Sequence, residues 1–332
     1  MISPRITVIT PSYNQGHYLE QTIDSVLSQN YPNLEFIIID GGSTDSSLEI
    51  IKRNQRYLSY WVHEKDNGQS DAINKGLKRA TGEIFNWLNS DDYYDPGALL
   101  AIAEGFSSQP EKKIMCGYTH CFYHESGATS HTYRMGIGTT VAASLMNVEM
   151  NQPGSFYRME VMRELGFLNP SLRYVFDGEL WFRFLSKYGL KAVGYTDALI
   201  AHFRLHETSK SVGDGFFEFY KEFLNIHLFL AKQLQLMPVI INYLENDQYI
   251  ERYVPGNWDY TFLEKEVLEY IFAEKYKFLL YKDHYYETAR KGLSYYRKQP
   301  QQEKHLDHLK LSAKLVLPDA LIDMLRKLNK GK

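Results

Sequence analysis

The sequence predicts an α/β fold, a mostly parallel sheet with helices on both faces, followed by a helical C-terminal region. Three observations predict it. Short β-branched or apolar runs alternate with helical periodicity through residues 5–106. The run "LEFIIID" (34–40) is almost continuously apolar, as a parallel strand covered on both faces should be. Each strand-like run ends in a polar cluster: "TPSYN", "DGGSTD", "EKDNG" and "NSDD". In open parallel sheets ligands bind beyond the carboxyl ends of the strands, so the four clusters should converge on one edge.

The elements follow in order. "RITVIT" (5–10) reads as a first strand, which Pro11 stops. "YLEQTIDSVLSQ" (18–29) places Leu19, Ile23, Val26 and Leu27 on one helical face. After the second strand, "STDSSLEIIKRN" (43–54) reads as a helix capped near Ser43 or Thr44. "LSYWVHE" (58–64) is a third strand and "SDAINKGLKRAT" (70–81) a third helix, ended by Gly82. "EIFNWL" (83–88) is a fourth strand, and "DPGALLAIAEGF" (95–106) a helix with Pro96 near its first turn. Beyond, strands are expected at 113–124 and 191–206, and helices at 155–166 and 176–189. From Gly215 the chain is helical and aromatic, which sets expected domains of 1–214 and 215–332.

Composition excludes some classes. The 332 residues carry a net charge of −3, without the basic excess of a nucleic-acid binder. The 26 tyrosines suit sugar- or base-stacking surfaces, and equally suit ordinary packing. Cys116 and Cys121 lie in one expected strand and point to opposite faces, which favours neither a disulfide nor a zinc site and indicates a reducing compartment. The N-terminus has no charged-then-apolar signal pattern, and no apolar run has bilayer length, so a cytoplasmic protein is expected. The tail from His308 to Lys332 interleaves apolar residues with Lys and Arg; it could lie on the cytoplasmic face of an anionic membrane or pack as a helix with a solvated end.

Residue chemistry sharpens the four clusters. Tyr13 offers a ring face to a base. Asp40 ends a buried strand where it could accept from a base imide, and Gly41 and Gly42 allow close backbone approach. Asp71 opens a helix, where capping and nucleotide contact are both open to it. Asp91 and Asp92 are adjacent carboxylates, costly unless a cation lies between them. A divalent metal, Mg²⁺ or Mn²⁺, would let such carboxylates meet a diphosphate.

The ordered stretches "TPSYNQGHYLEQTIDSVLSQNYPNLEFIIIDGGSTDSS" and "DNGQSDAINKGLKRATGEIFNWLNSDD" resemble family 2 glycosyltransferases of the GT-A fold, over residues 5–212. The resemblance implies a nucleotide-diphosphate sugar donor, with UDP-sugars the first candidates, and inversion at the anomeric carbon. It implies a glycan or lipid-linked acceptor in polysaccharide or glycolipid assembly. It implies that Pro11, Tyr13 and Asp40 line the base and ribose pocket. Asp91 and Asp92 then supply the metal and ribose carboxylates of a D-x-D-like region, in which Asn89 stands where Asp is commoner.

In the second half, "FDGELWFRF" places Asp177 at the family's catalytic-base position, while a helix N-cap is its bland alternative. Glu179 is expected to orient the acceptor or Trp181. In "AHFRLHETSKS", His206 is a candidate metal ligand, with His202 behind it. Arg204 and Lys210 are candidate phosphate partners, and Ser209 and Ser211 suit a lid. "NQPGSF" loosely matches an acceptor-side loop through Gln152 and Pro153. Two other classes compete: a nucleotidyltransferase, which would release pyrophosphate, and a silent nucleotide-sugar or glycan binder.

Overall fold

The computed structural model describes residues 3–146, 150–207, 209–210, 215–236, 238–246, 253–282, 286–298, 311 and 314–329. The chain divides into two compact units: Met1–Phe223 with Tyr253–Leu263, and Leu224–Arg252 with Glu264–Lys332.

The first unit is built on one sheet. Its strands are β1 (Ile6–Ser12), β2 (Leu34–Asp40), β3 (Tyr60–His63), β4 (Ile84–Trp87), β5 (Tyr93–Tyr94), β6 (Ile114–Tyr123), β7 (Thr129–Tyr133), β8 (Ser155–Arg158) and β9 (Val193–Leu205). They lie in the order β3-β2-β1-β4-β8-β6-β9-β5, with β7 paired to β6. β1 is parallel to β2 and β4, and β2 to β3. β8 enters antiparallel between β4 and β6, and β6 then runs parallel to β9. Every residue of β1 is buried, as a strand covered on both faces must be.

Helices cover both faces because side chains alternate along each strand. Ile6, Val8, Phe36, Ile38 and Ile84 pack with α1 (Gly16–Leu27), α2 (Ser47–Asn54) and α4 (Ala98–Ser108) through Leu19, Ile23, Ile51 and Ile102. Ile9 points the other way, against α3 (Gln69–Leu77). Gly76 in that helix has no room for a side chain, since a Cβ would stand 2.8 Å from Ile9 Cγ2. Trp87 meets Phe176 of α7 (Phe176–Tyr188) at 6.2 Å between ring centres.

Several boundaries differ from expectation. Pro11 does not stop β1, which runs on to Ser12 beside Asp40. The Ser12 carbonyl accepts the Gly41 N–H on the β2 side, so Pro11 faces the β4 side. Pairing with β4 has already ended at Ile9, so no ladder bond needs the N–H that proline lacks. Residues 155–158 are strand, not helix: their pairing with β4 and β6 overrides local periodicity, and α6 (Met159–Leu165) starts only after them. α2 begins at Ser47, and residues 43–46 form the turn that precedes it.

The second unit is helical. α10 (Lys265–Lys282) buries Leu268, Phe272 and Ala273, and α11 (Tyr286–Lys298) buries Ala289. α9 (Pro238–Glu245) and a last helix, Asp319–Asn329, complete it. Arg290 ties α11 to the tail through the carbonyls of Leu315 and Leu317, each at 2.8 Å. Much of the tail lies outside the described residues; in the rest Leu315 and Ile322 are buried, while Val316 and Met324 are exposed. α8 (Gly215–Gln233) carries the boundary between the units. No helix among the described residues is long and apolar enough to cross a membrane. Cys116 and Cys121 are both buried, and neither is in a disulfide.

Candidate functional site

The chain runs from β1 outward to β2 and β3, then returns to place β4 on the other side of β1. At that switch the loops after adjacent strands diverge and leave a crevice. It is a cleft of about 790 Å³. Pro11, Ser12 and Tyr13 line it from β1, Gly41 and Gly42 from β2, Lys65 to Gly68 from β3, and Asn89 to Asp91 from β4. The opposite wall is Arg173, Tyr174, Phe176 and Asp177, and Ser209 and Lys210 complete it. The four polar clusters therefore do converge. Tyr13 leaves 62% of its surface exposed. Ser12 Oγ and Gln15 Oε1 are buried in this lining with no hydrogen-bond partner among the described residues. Orphaned buried acceptors and donors are costly, and a bound polar ligand would satisfy them.

The two adjacent carboxylates are separated by burial. Asp91 lines the cleft, and its Oδ2 lies 3.0 Å from His206 Nε2. Asp92 is only 1% exposed and turns inward. Its Oδ1 accepts the Arg204 N–H at 2.9 Å and its Oδ2 accepts the Asn89 amide at 3.3 Å. Burial, reinforced by the Asp91 charge, pushes the Asp92 carboxyl well above the usual range. Asn89 has a physical reason here. It donates to Asp92 while its Oδ1 accepts from Gln69 Nε2 at 2.7 Å, and an aspartate could only add a third negative charge.

Other expected residues fall outside the cleft lining. Asp40 is fully buried, and its carboxylate accepts the Ser43 N–H at 3.0 Å and faces His63 Nδ1 at 3.1 Å. It holds the loop that presents Gly41 and Gly42. Asp71 reaches back to the Asn67 N–H at 3.0 Å, fixing the start of α3. Arg204 is buried, with its guanidinium 4.7 Å from the Tyr18 ring centre and bonded to the Asp91 carbonyl and Gln21. It braces Asp91 from behind. Glu179 and Trp181 are wholly buried: Glu179 pairs with Arg183 at 2.8 Å, and Trp181 stacks on Phe184. His202 pairs with Asp95, away from the cleft. Ser211 lies outside the described residues.

Asp177 opens α7 and faces the cleft. Burial raises its carboxyl to about 6, against the Gly178 N–H and Lys210, which pull it down. Lys210 reaches the same space. Its chain is exposed, but its ammonium is enclosed by Gln69 Oε1 at 2.8 Å, the Arg173 carbonyl at 2.9 Å and the Phe176 ring. Desolvation lowers its pKa, although Asp177 opposes that. Lys210, Gln69, Asn89 and Asp92 thus form one chain of hydrogen bonds from the segment after β9 to the β4 loop. Gln15 and Gln69 line the cleft without a sequence motif that singles them out, and Asp66 lines it from the "EKDNG" cluster. Burial raises the Asp66 carboxyl, against the Gly68 N–H.

No group of three or more His, Cys, Asp or Glu side chains suited to a metal occurs among the described residues. Asp91 at the cleft and His206, buried behind it and outside the lining, do set one carboxylate oxygen and one imidazole nitrogen side by side. That donor set fits a divalent ion whose remaining ligands are phosphate oxygens and water, the usual arrangement at nucleotide sites.

The fold is of the GT-A class: the TarS protein of S. aureus, solved with UDP-GlcNAc, superposes with a TM-score of 0.52 at 18% identity over 73% of this chain and 69% of that one. Residues 7–166 match glycosyl transferase family 2. TuaG of Bacillus subtilis, a glycosyltransferase named for teichuronic acid biosynthesis, is 30% identical over 222 residues, 63% of this chain and 82% of TuaG. A glycosyltransferase of Rickettsia typhi is 26% identical over 216 residues, and the match spans 65% of its length. The chain belongs to glycosyltransferase family 2.

Proposed function

We propose that this protein transfers a sugar from a nucleotide-diphosphate donor to a hydroxyl acceptor, with inversion and with Asp177 as the base. One observation carries the reading: a half-buried carboxylate, raised to about 6, faces the same cleft as Asp91, whose carboxylate His206 meets from behind. Tyr13 and the Gly41–Gly42 backbone would receive the nucleotide, for which UDP-sugars are the first candidates. Asp177 accepts the proton of the acceptor hydroxyl as its oxygen bonds to the anomeric carbon. The bond from that carbon to the diphosphate breaks on the opposite side, and the nucleoside diphosphate leaves. Lys210 can offset charge on the departing phosphates. Asp91 and His206 would hold a Mn²⁺ or Mg²⁺ ion, which when bound neutralises that charge. The acceptor is a glycan or lipid-linked glycan, and residues 1–214 form the catalytic domain.

The test is a panel of nucleotide sugars with the protein, a glycan acceptor, and Mn²⁺ or chelator. Release of nucleoside diphosphate with a glycosylated product is expected. Release of pyrophosphate would indicate nucleotidyl transfer instead, and a donor-induced rise in Tm without any release would indicate a silent binder.

A further inference from the structure

Glu222 lies in α8, beyond residues 7–166 that match the family, and no motif marks it. Its carboxylate accepts three successive backbone N–H groups: Arg173 at 2.8 Å, Tyr174 at 2.9 Å and Val175 at 2.8 Å. Those residues lead directly into α7, whose second residue is Asp177. The N-terminal N–H groups of a helix and its approach have no partners within the helix. No side-chain cap from α7's own N-cap, Val175, is available. The carboxylate from α8 supplies what the local sequence lacks, and charge-assisted bonds of this kind are roughly twice as strong as neutral ones.

We propose that Glu222 is a positioning residue for the transfer reaction: by clamping the backbone of residues 173–175 it fixes the cleft wall that bears Asp177. The wall includes Arg173 and Tyr174, so the same clamp sets their backbone. This rests on the reading of Asp177 as the base. It makes the first turns of α8 part of the working site.

The charge of Glu222 is also felt at Asp177. Burial is the main cause of the raised carboxyl, the Gly178 N–H and Lys210 oppose it, and Glu222 adds to it. The Asp177 charge acts in turn on the hydroxyls of Tyr133 in β7 and Tyr157 in β8, and Arg173 lies on the same wall beside Lys210.

The experiment measures kcat, donor KM, Tm and the pH profile of transfer for Glu222→Gln and Glu222→Asp, beside Asp177→Asn. Glu222→Gln keeps an acceptor and loses the charge. A fall in kcat of about 10- to 100-fold is expected, with donor KM within about twofold and the acidic limb moved to lower pH. Glu222→Asp keeps the charge on a shorter stem; it should lose kcat similarly with the limb unmoved, and it carries the test if the glutamine variant does not fold. If Asp177→Asn is inactive while both Glu222 variants lower only Tm, keeping parental kcat and limb, the positioning role is overturned and the base assignment stands. If Asp177→Asn retains turnover, the base assignment itself fails.

Discussion

Asp91 and Asp177 face one cleft, and each is backed by a second carboxylate that does not. Asp92 stands behind Asp91 and takes the Arg204 N–H. Glu222 stands behind the Asp177 segment and takes three N–H groups. In both places a carboxylate on backbone donors holds the wall, and another carboxylate faces the cleft. The walls differ in where the support comes from. Asp92 is the next residue in the chain, on a loop leaving a buried strand. Glu222 arrives from a helix outside the family-matched region. The Asp91 wall thus takes its backing carboxylate from the next residue, though that carboxylate's donor comes from distant β9, while the Asp177 wall takes its backing carboxylate from a separate helix.

The largest effect that would break this comparison is on turnover. Asp177→Asn is expected to lower transfer by about 100- to 10,000-fold, measured as nucleoside diphosphate release, because the acceptor proton loses its base. The same variant should be more stable at high pH. A carboxyl raised to about 6 costs the folded state fully above that pH, and the cost fades as pH falls toward the unfolded value. Its replacement should raise stability by up to about 3 kcal/mol at pH 8 in denaturant titrations, and by little at pH 4.

Next comes the division of labour within the carboxylate pair. Asp91→Ala should lower transfer by about 100-fold and cost less stability than Asp92→Ala, since its side chain faces the cleft, although buried His206 loses its carboxylate partner. Asp92→Ala should cost about 1–3 kcal/mol in unfolding experiments, because the Arg204 N–H and the Asn89 amide lose their acceptor in a buried place. Equal stability losses would show that the two carboxylates are not divided as described.

Activity of the parent should fall through an acidic limb near pH 6, as Asp177 takes up its proton. The smallest effect expected is at Gln69. Gln69→Leu breaks the bonds to Lys210 and Asn89, and a change of about 1 kcal/mol would raise donor KM about fivefold.

Much of the first wall was legible in the sequence. Strand-ending clusters are local patterns, and a parallel sheet brings them to one edge whatever the side chains do in detail. The direction of each side chain was not legible. Asp40 ends one buried strand and Asp91 follows another, yet Asp40 turns into the protein toward Ser43 and His63 while Asp91 turns out. Arg204 looked like a phosphate partner because charge is visible in sequence and burial is not. Asn89 was visible as a departure, but its use as a donor to Asp92 needs the fold. Residues 155–158 became strand through partners distant in sequence. Glu222 was unreadable for the same reason: helical periodicity in α8 does not say which backbone a surface glutamate will meet.

In the proposed function the two walls do separate work, Asp91 holding the donor and Asp177 serving the proton. That division is tested most directly by titrating UDP with Mn²⁺ into Asp91→Ala and Asp177→Asn by calorimetry. Asp177→Asn is expected to bind as the parent does and Asp91→Ala much more weakly; equal binding by both variants would contradict the division.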